Sequence, residues 1–99
     1  MEIRKTMEGD RLSLVVIGRL ETATAPLLDA ELKAMDEGVK NLSVDFKDLE
    51  YITSAGLRVI LTAQKTMNAR QGRMEIAGAN ETIRHVFAMT GFASVLTFT

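Results

Sequence analysis

The chain has 99 residues, with 46% apolar and 25% charged residues and a formal net charge of −1, the profile of an ordinary globular fold. No basic excess draws it to nucleic acid or to a membrane surface. There is no cysteine, which rules out disulfides and thiolate chemistry and fits a reducing compartment. The N-terminus, Met1-Glu2-Ile3-Arg4-Lys5, lacks the apolar run of a signal peptide, and no stretch approaches the roughly 20 apolar residues needed to span a bilayer. These features predict one domain over residues 1–99 and a cytoplasmic location.

In chain order, Ile3, Lys5 and Met7 alternate with Glu2, Arg4 and Thr6, the period of a short strand. Glu8-Gly9-Asp10 forms a hairpin turn into a second, more apolar strand from Arg11 to Ile17, and Gly18-Arg19-Leu20-Glu21 breaks the pattern. Thr24 is a candidate N-cap, with Pro26 early in the helix, where its missing N–H does no harm. Leu27, Leu28, Leu32 and Met35 recur at helical spacing, and Gly38 ends that helix. Leu42, Val44 and Phe46 alternate with polar residues in a third strand, followed by a loop over 47–53. A long helix is predicted from Ala55 to about Arg70, closed by Gly72. Met74 and Ile76 mark a fourth strand. Asn80 caps a helix carrying Ile83, Val86 and Phe87 and ended by Gly91, and Val95 to Phe98 makes a short final strand.

Strands separated by helices pair in parallel. The third and fourth strands each have one apolar and one polar face, whereas a sheet covered on both sides gives nearly continuous apolar runs. The expected fold is therefore α/β: a mixed, mostly parallel sheet of about five strands, with helices mainly on one face and the first strand antiparallel at an edge.

Enzyme signatures are sparse. The lone histidine, His85, falls off the apolar stripe of its helix, as a surface histidine does. There is no glycine-rich phosphate loop, and the carboxylates are scattered without metal-ligand spacing. No catalytic residue, metal or cofactor is expected. One segment stands out, Asp48-Leu49-Glu50-Tyr51-Ile52-Thr53-Ser54-Ala55-Gly56-Leu57. Ser54 could act simply as the N-cap of the long helix. Alternatively, small Ala55 and Gly56 leave the first backbone N–H groups uncrowded, so an anion on Ser54 would meet free donors and the positive end of the macrodipole. A phosphate there would bring about −1.5 to −2 charges.

Ile52-Thr53-Ser54-Ala55-Gly56-Leu57 resembles the signature of STAS domains, in particular the bacterial anti-sigma-factor antagonists, whose usual pattern is Asp-Ser-Ser/Thr-Gly-Leu with the first Ser phosphorylated by a partner kinase. Gly18-Arg19-Leu20-Glu21 resembles their Gly-x-Leu-Asp stretch, and Thr90-Gly91-Phe92 their Ser/Thr-Gly-Leu/Phe turn. Thr53 and Glu21 stand where Asp is usual. The resemblance implies an STAS fold over the whole chain and a partner-switching module. When unphosphorylated it would bind an anti-sigma factor that is also a serine kinase. It would release that partner when phosphorylated on Ser54, and a separate phosphatase would reset it. The alternatives are an STAS interaction subunit of a transport or sensory assembly outside sigma control, and a small hydrolase using Ser54 as nucleophile, which lacks a base in any supporting motif.

At 100° per residue, Gly56, Val59, Ile60, Ala63 and Met67 form the face of the long helix that meets the sheet. Leu57 falls at its margin and Leu61 on the far side, close to Ser54. The expected partner surface is therefore Glu21, Thr53, Ser54, Ala55, Gly56, Leu57, Arg58 and an exposed Leu61. The plain alternative for Leu61 is a stray surface leucine.

Overall fold

A computed structural model describes all residues from 1 to 99. The first two strands, β1 (Glu2–Glu8) and β2 (Arg11–Leu20), form an antiparallel hairpin closed by the Glu8–Arg11 pair. Its two-residue turn needs a left-handed residue, and Gly9 supplies it at φ +59°. Then come α1 (Ala25–Lys33), β3 (Asn41–Asp45), β4 (Leu49–Ile52), α2 (Ser54–Ala69), β5 (Arg73–Ala77) and α3 (Glu81–Met89), with a 3₁₀ turn at Phe92–Val95.

The sheet runs β1-β2-β3-β5, with β3 and β5 parallel to β2. Strand β4 pairs in parallel with the last residues of β2, from Gly18–Leu49 to Leu20–Ile52. Leu12, Leu14 and Val16 of β2, Leu42 and Val44 of β3, and Met74 and Ile76 of β5 are buried, while Ser13, Ser43, Asp45 and Glu75 between them stay partly accessible. The buried residues of all three helices join those of the sheet in one cluster of 23 side chains. The helices thus share one face of a mixed, mostly parallel sheet, as the alternation predicts.

Four local expectations are corrected. Gly18 does not end β2; it takes φ +102° where the register with β4 shifts, with Glu50 of β4 as the extra residue, and the strand continues to Leu20. The predicted loop over 47–53 contains β4, so the fifth strand lies there and not at the chain's end. The segment expected as a final strand at 95–98 is the end of the 3₁₀ turn plus a single bridge between Phe98 and Ile76. Helix α1 stops at Lys33, five residues before Gly38. Asp36 turns the chain by accepting the Gly38 N–H at 2.7 Å, and Arg70 donates to the carbonyls of Asp36 and Val39, holding that loop in place.

Candidate functional site at the start of α2

Strand β4 delivers the chain to α2 with Thr53 extended (φ −106°, ψ 177°) and its N–H bonded to the Leu20 carbonyl at 3.0 Å. The first helical bond runs from the Leu57 N–H to the Thr53 carbonyl, also 3.0 Å. Thr53 is therefore the N-cap and Ser54 the first helical residue, a correction to the N-cap alternative for Ser54. Thr53 does not cap with its side chain; its hydroxyl is buried and has no hydrogen-bond partner. The N–H groups of Ser54, Ala55 and Gly56 meet no acceptor within the chain, and the first turn holds no acidic residue. Ser54 is exposed. A hydroxyl thus stands beside three unpaired donors at the positive end of a 16-residue helix, an arrangement that favours an anion.

The small residues there have a second reason. A Cβ on Gly56 would lie 2.7 Å from Leu20 Cγ and 2.9 Å from Ile52 Cγ1. The first turn of α2 rests directly on the ends of β2 and β4, and only glycine allows that approach. Gly56 is buried, so it belongs to the helix–sheet contact and not to an open surface.

The expected partner surface is redrawn on one side of α2. Gly56, Ile60, Ala63 and Met67 are buried as the periodicity predicts, but Val59 is only half-buried. Leu57, expected at the margin and in the partner surface, is 4% exposed and part of the core. Leu61, expected on the far side, is half-buried against that core. Leu57, Leu61, Gln64 and Asn68 fall within about 60° of one another on the helix. Gln64 and Asn68 line a cleft with Met74 of β5 and with Thr97, so this side of α2 lies over the sheet edge and the C-terminal segment. The Val59 side faces α1 across open hollows. Arg58 is exposed and makes no ion pair.

Glu21 lies in the turn between β2 and α1. Its N–H donates to the Thr24 hydroxyl at 2.9 Å, and that hydroxyl in turn donates to the Arg19 carbonyl at 2.8 Å. Thr24 thus ties down the turn before α1 and does not cap the helix. The Glu21 carboxylate pairs with Arg19 Nε at 3.1 Å, and the Arg19 guanidinium lies 4.9 Å over the Tyr51 ring. This ion pair is solvent-exposed and therefore weak. Arg19 and Tyr51 are paired across β2 and β4, and sequence reasoning missed both. Tyr51 was hidden in the predicted loop, although an aromatic between Glu50 and Ile52 is a strand signal. Between the start of α1 and the first turn of α2 lies a shallow, open hollow of about 310 Å³, lined by Thr22, Pro26, Ala55 and Arg58 among others. His85 is exposed on α3, away from this region in the chain.

A family model described as the MlaB STAS domain matches residues 3–97. The chain belongs to the STAS domain family. Within it, the sequence aligns with bacterial anti-sigma factor antagonists. BtrV of Bordetella bronchiseptica, described as a putative anti-sigma factor antagonist, is 38% identical over 79 residues, covering 79% of this chain and 68% of BtrV. Among solved structures, a Thermotoga maritima protein described as a putative anti-sigma factor antagonist has a TM-score of 0.89 at 19% identity, covering 97% of this chain and 84% of that one. Unphosphorylated SpoIIAA has a TM-score of 0.80 at 17% identity, with 99% and 87% coverage. The structure of Bacillus SpoIIAA in its phosphorylated form scores 0.79 at 18% identity, covering 99% of this chain and 91% of that one.

On this STAS fold, the family-like motif Ile52–Leu57 spans the junction of β4 and α2, and Gly18–Glu21 spans the end of β2 and the turn after it, beside that junction. The two motifs are brought together by the β2–β4 pairing and by the Thr53–Leu20 hydrogen bond. No helix is long and apolar enough to cross a membrane.

Proposed function

We propose that the chain binds an anti-sigma factor that is also a serine kinase, and that phosphorylation of Ser54 by that partner ends the binding. The observation that carries this reading is the open start of α2: an exposed serine at the family's acceptor position, beside three N–H groups with no acceptor. A phosphate on Ser54 adds about −1.5 to −2 charges where unpaired donors and the helix dipole favour them, so the fold accepts it without rearrangement. The same charge changes the surface that a partner reads, which is how a local modification becomes a binding switch.

In this scheme the unphosphorylated chain holds the anti-sigma factor and thereby frees the sigma factor. The partner, which binds ATP and magnesium, transfers the γ-phosphate to the Ser54 oxygen, and the chain then dissociates. A separate phosphatase hydrolyses the phosphoserine and restores the binding form. Thr53 in place of Asp leaves one negative charge fewer beside the phosphate, and Glu21 keeps the acidic charge already engaged by Arg19.

The test is a pull-down on the source bacterium's extract, followed by reaction of the captured kinase with ATP and phosphopeptide mapping. The expected result is a single phosphate on Ser54 and loss of the complex, with Ser54→Ala remaining bound. Phosphate on Thr53 or Thr22 with Ser54 bare overturns the reading. So does exclusive capture of a membrane transport assembly.

A further inference from the structure

Between α1 and α2 lie two hollows, of about 310 and about 220 Å³. They share Asp29, Val59 and Thr62 and so form one groove, running from the Ser54 end of α2 towards its C-terminus. Its floor is apolar: Ala25, Leu32 and Ala63 are buried there, and Val59 is half-exposed. Four charged side chains line it. Lys33 and Asp29 neutralise each other at 2.8 Å. Arg58 at one end has no carboxylate partner. Arg70 at the other donates only to main-chain carbonyls, so its charge is not neutralised either. The groove thus keeps two unbalanced positive charges in a chain whose net charge is −1. Twelve residues separate the two arginines, about 18 Å along the helix axis.

An apolar floor of helical length between two unneutralised guanidiniums fits one class of occupant, an amphipathic helix with acidic residues flanking its apolar stripe. Ser54 and Arg58 are four residues apart on α2, the spacing at which side chains meet on a helix surface. A phosphate on Ser54 is therefore within reach of Arg58, and phosphate–guanidinium pairing is strong. We propose that the α1–α2 groove docks an acidic amphipathic helix of the anti-sigma partner through Arg58, and that phosphorylated Ser54 releases this helix by taking Arg58 for itself. The release half rests on the reading of Ser54 as the switch; the docking half does not. The partner surface thereby moves from Leu57 and Leu61 to the opposite side of α2.

The experiment uses the full chain, labelled with ¹⁵N, and a helix-forming peptide of about 18 residues with a leucine stripe flanked by glutamates. A second peptide has lysines in place of the glutamates. Saturable shifts at the amides of Val59, Thr62 and Thr66 with the acidic peptide are expected, weakening as salt rises from about 20 to about 200 mM. Arg58→Gln should weaken binding about three- to fivefold, the size of one exposed ion pair, without changing the melting temperature. Equal binding of the lysine peptide, shifts confined to another surface, or full affinity in Arg58→Gln overturns the docking. Ser54→Asp and enzymatically phosphorylated Ser54 should weaken the peptide by a larger factor in the native background than in Arg58→Gln, where only direct repulsion of its glutamates remains. An equal loss in both backgrounds overturns the capture of Arg58. No loss in either, with docking intact, means that the reading of Ser54 as the switch has failed and the groove has not.

Discussion

Helices α2 and α3 both begin just after a strand of the same sheet, yet only α3 has a side-chain cap and an acidic residue in its first turn. At α3, Asn80 accepts the Ile83 N–H at 2.9 Å, donates to the Leu49 carbonyl at 3.3 Å, and is followed by Glu81, whose charge suits the dipole. At α2, Thr53 occupies the same place, but its hydroxyl caps nothing, no acidic residue follows, and three N–H groups stay without an acceptor. At α3 one first-turn donor, the Ile83 N–H, is capped from within the chain and an acidic residue faces the dipole, while the Glu81 and Thr82 N–H groups stay without an acceptor. The α2 start is left incomplete although Thr53 is a residue type that could complete it. The difference leaves the α2 start the more open of the two to a charge supplied from outside.

The comparison can be broken one turn further in, where the two regions should behave alike because both are core. Leu57→Ala should cost about 2–4 kcal/mol by chemical denaturation, the usual range for a buried leucine. A loss below about 1 kcal/mol would return Leu57 to the surface and with it the original partner surface. Gly56→Ala should cost about 1–2 kcal/mol even though alanine favours helix, because the new methyl group meets Leu20 and Ile52. A stabilised Gly56→Ala protein would mean that Leu20 yields freely and that the glycine serves only the open rim.

The termini themselves should then diverge. Asn80→Ala should lose about 1 kcal/mol, since it removes a formed cap. Ser54→Asp should instead gain about 0.3–1 kcal/mol at low ionic strength, because it places a charge beside free donors. A melting temperature that falls in Ser54→Asp would show that the site does not tolerate an anion. The smallest effect is expected for Thr53→Val, which removes a buried hydroxyl that has no partner while keeping its shape. Its stability should stay within about 0.5 kcal/mol of the native protein or rise. A loss as large as that of Asn80→Ala would mean that Thr53 caps α2 in solution, and the contrast between the two helices would close.

Period-2 alternation in β2, β3 and β5 was legible because each of these strands buries one face, and β1 was legible from its hairpin turn although only Ile3 in it is even partly buried. Strand β4 was not, because its residues Leu49, Glu50, Tyr51 and Ile52 follow a buried-exposed-exposed-buried order. It pairs only with the end of β2, and Glu50 is an extra residue in that register, which breaks the alternation within β4. Asn80 as a cap was legible because its hydrogen bond is local, to a backbone group three residues on. Thr24 misled for the same reason in reverse. Its side chain had a competing acceptor and donor in the turn formed by Arg19 and Glu21, which propensity does not weigh.

The sequence by itself determined strands β1, β2, β3 and β5 and the three helices in their order, the one-sided sheet and the prominence of Ser54, because these rest on periodicity and on short-range chemistry along the chain. The sides of α2 were decided only in the tertiary structure. A helical wheel places Leu57 and Val59 almost symmetrically about the buried face. Which of them is covered depends on what packs beside each: the sheet edge and C-terminal segment on the Leu57 side, and on the Val59 side a second helix that stands off and leaves a groove. Gly56 belongs to the same class. Its composition suggested an open helix start, but its necessity comes from two side chains, Leu20 and Ile52, brought under it by a strand pairing that alternation along the chain did not reveal.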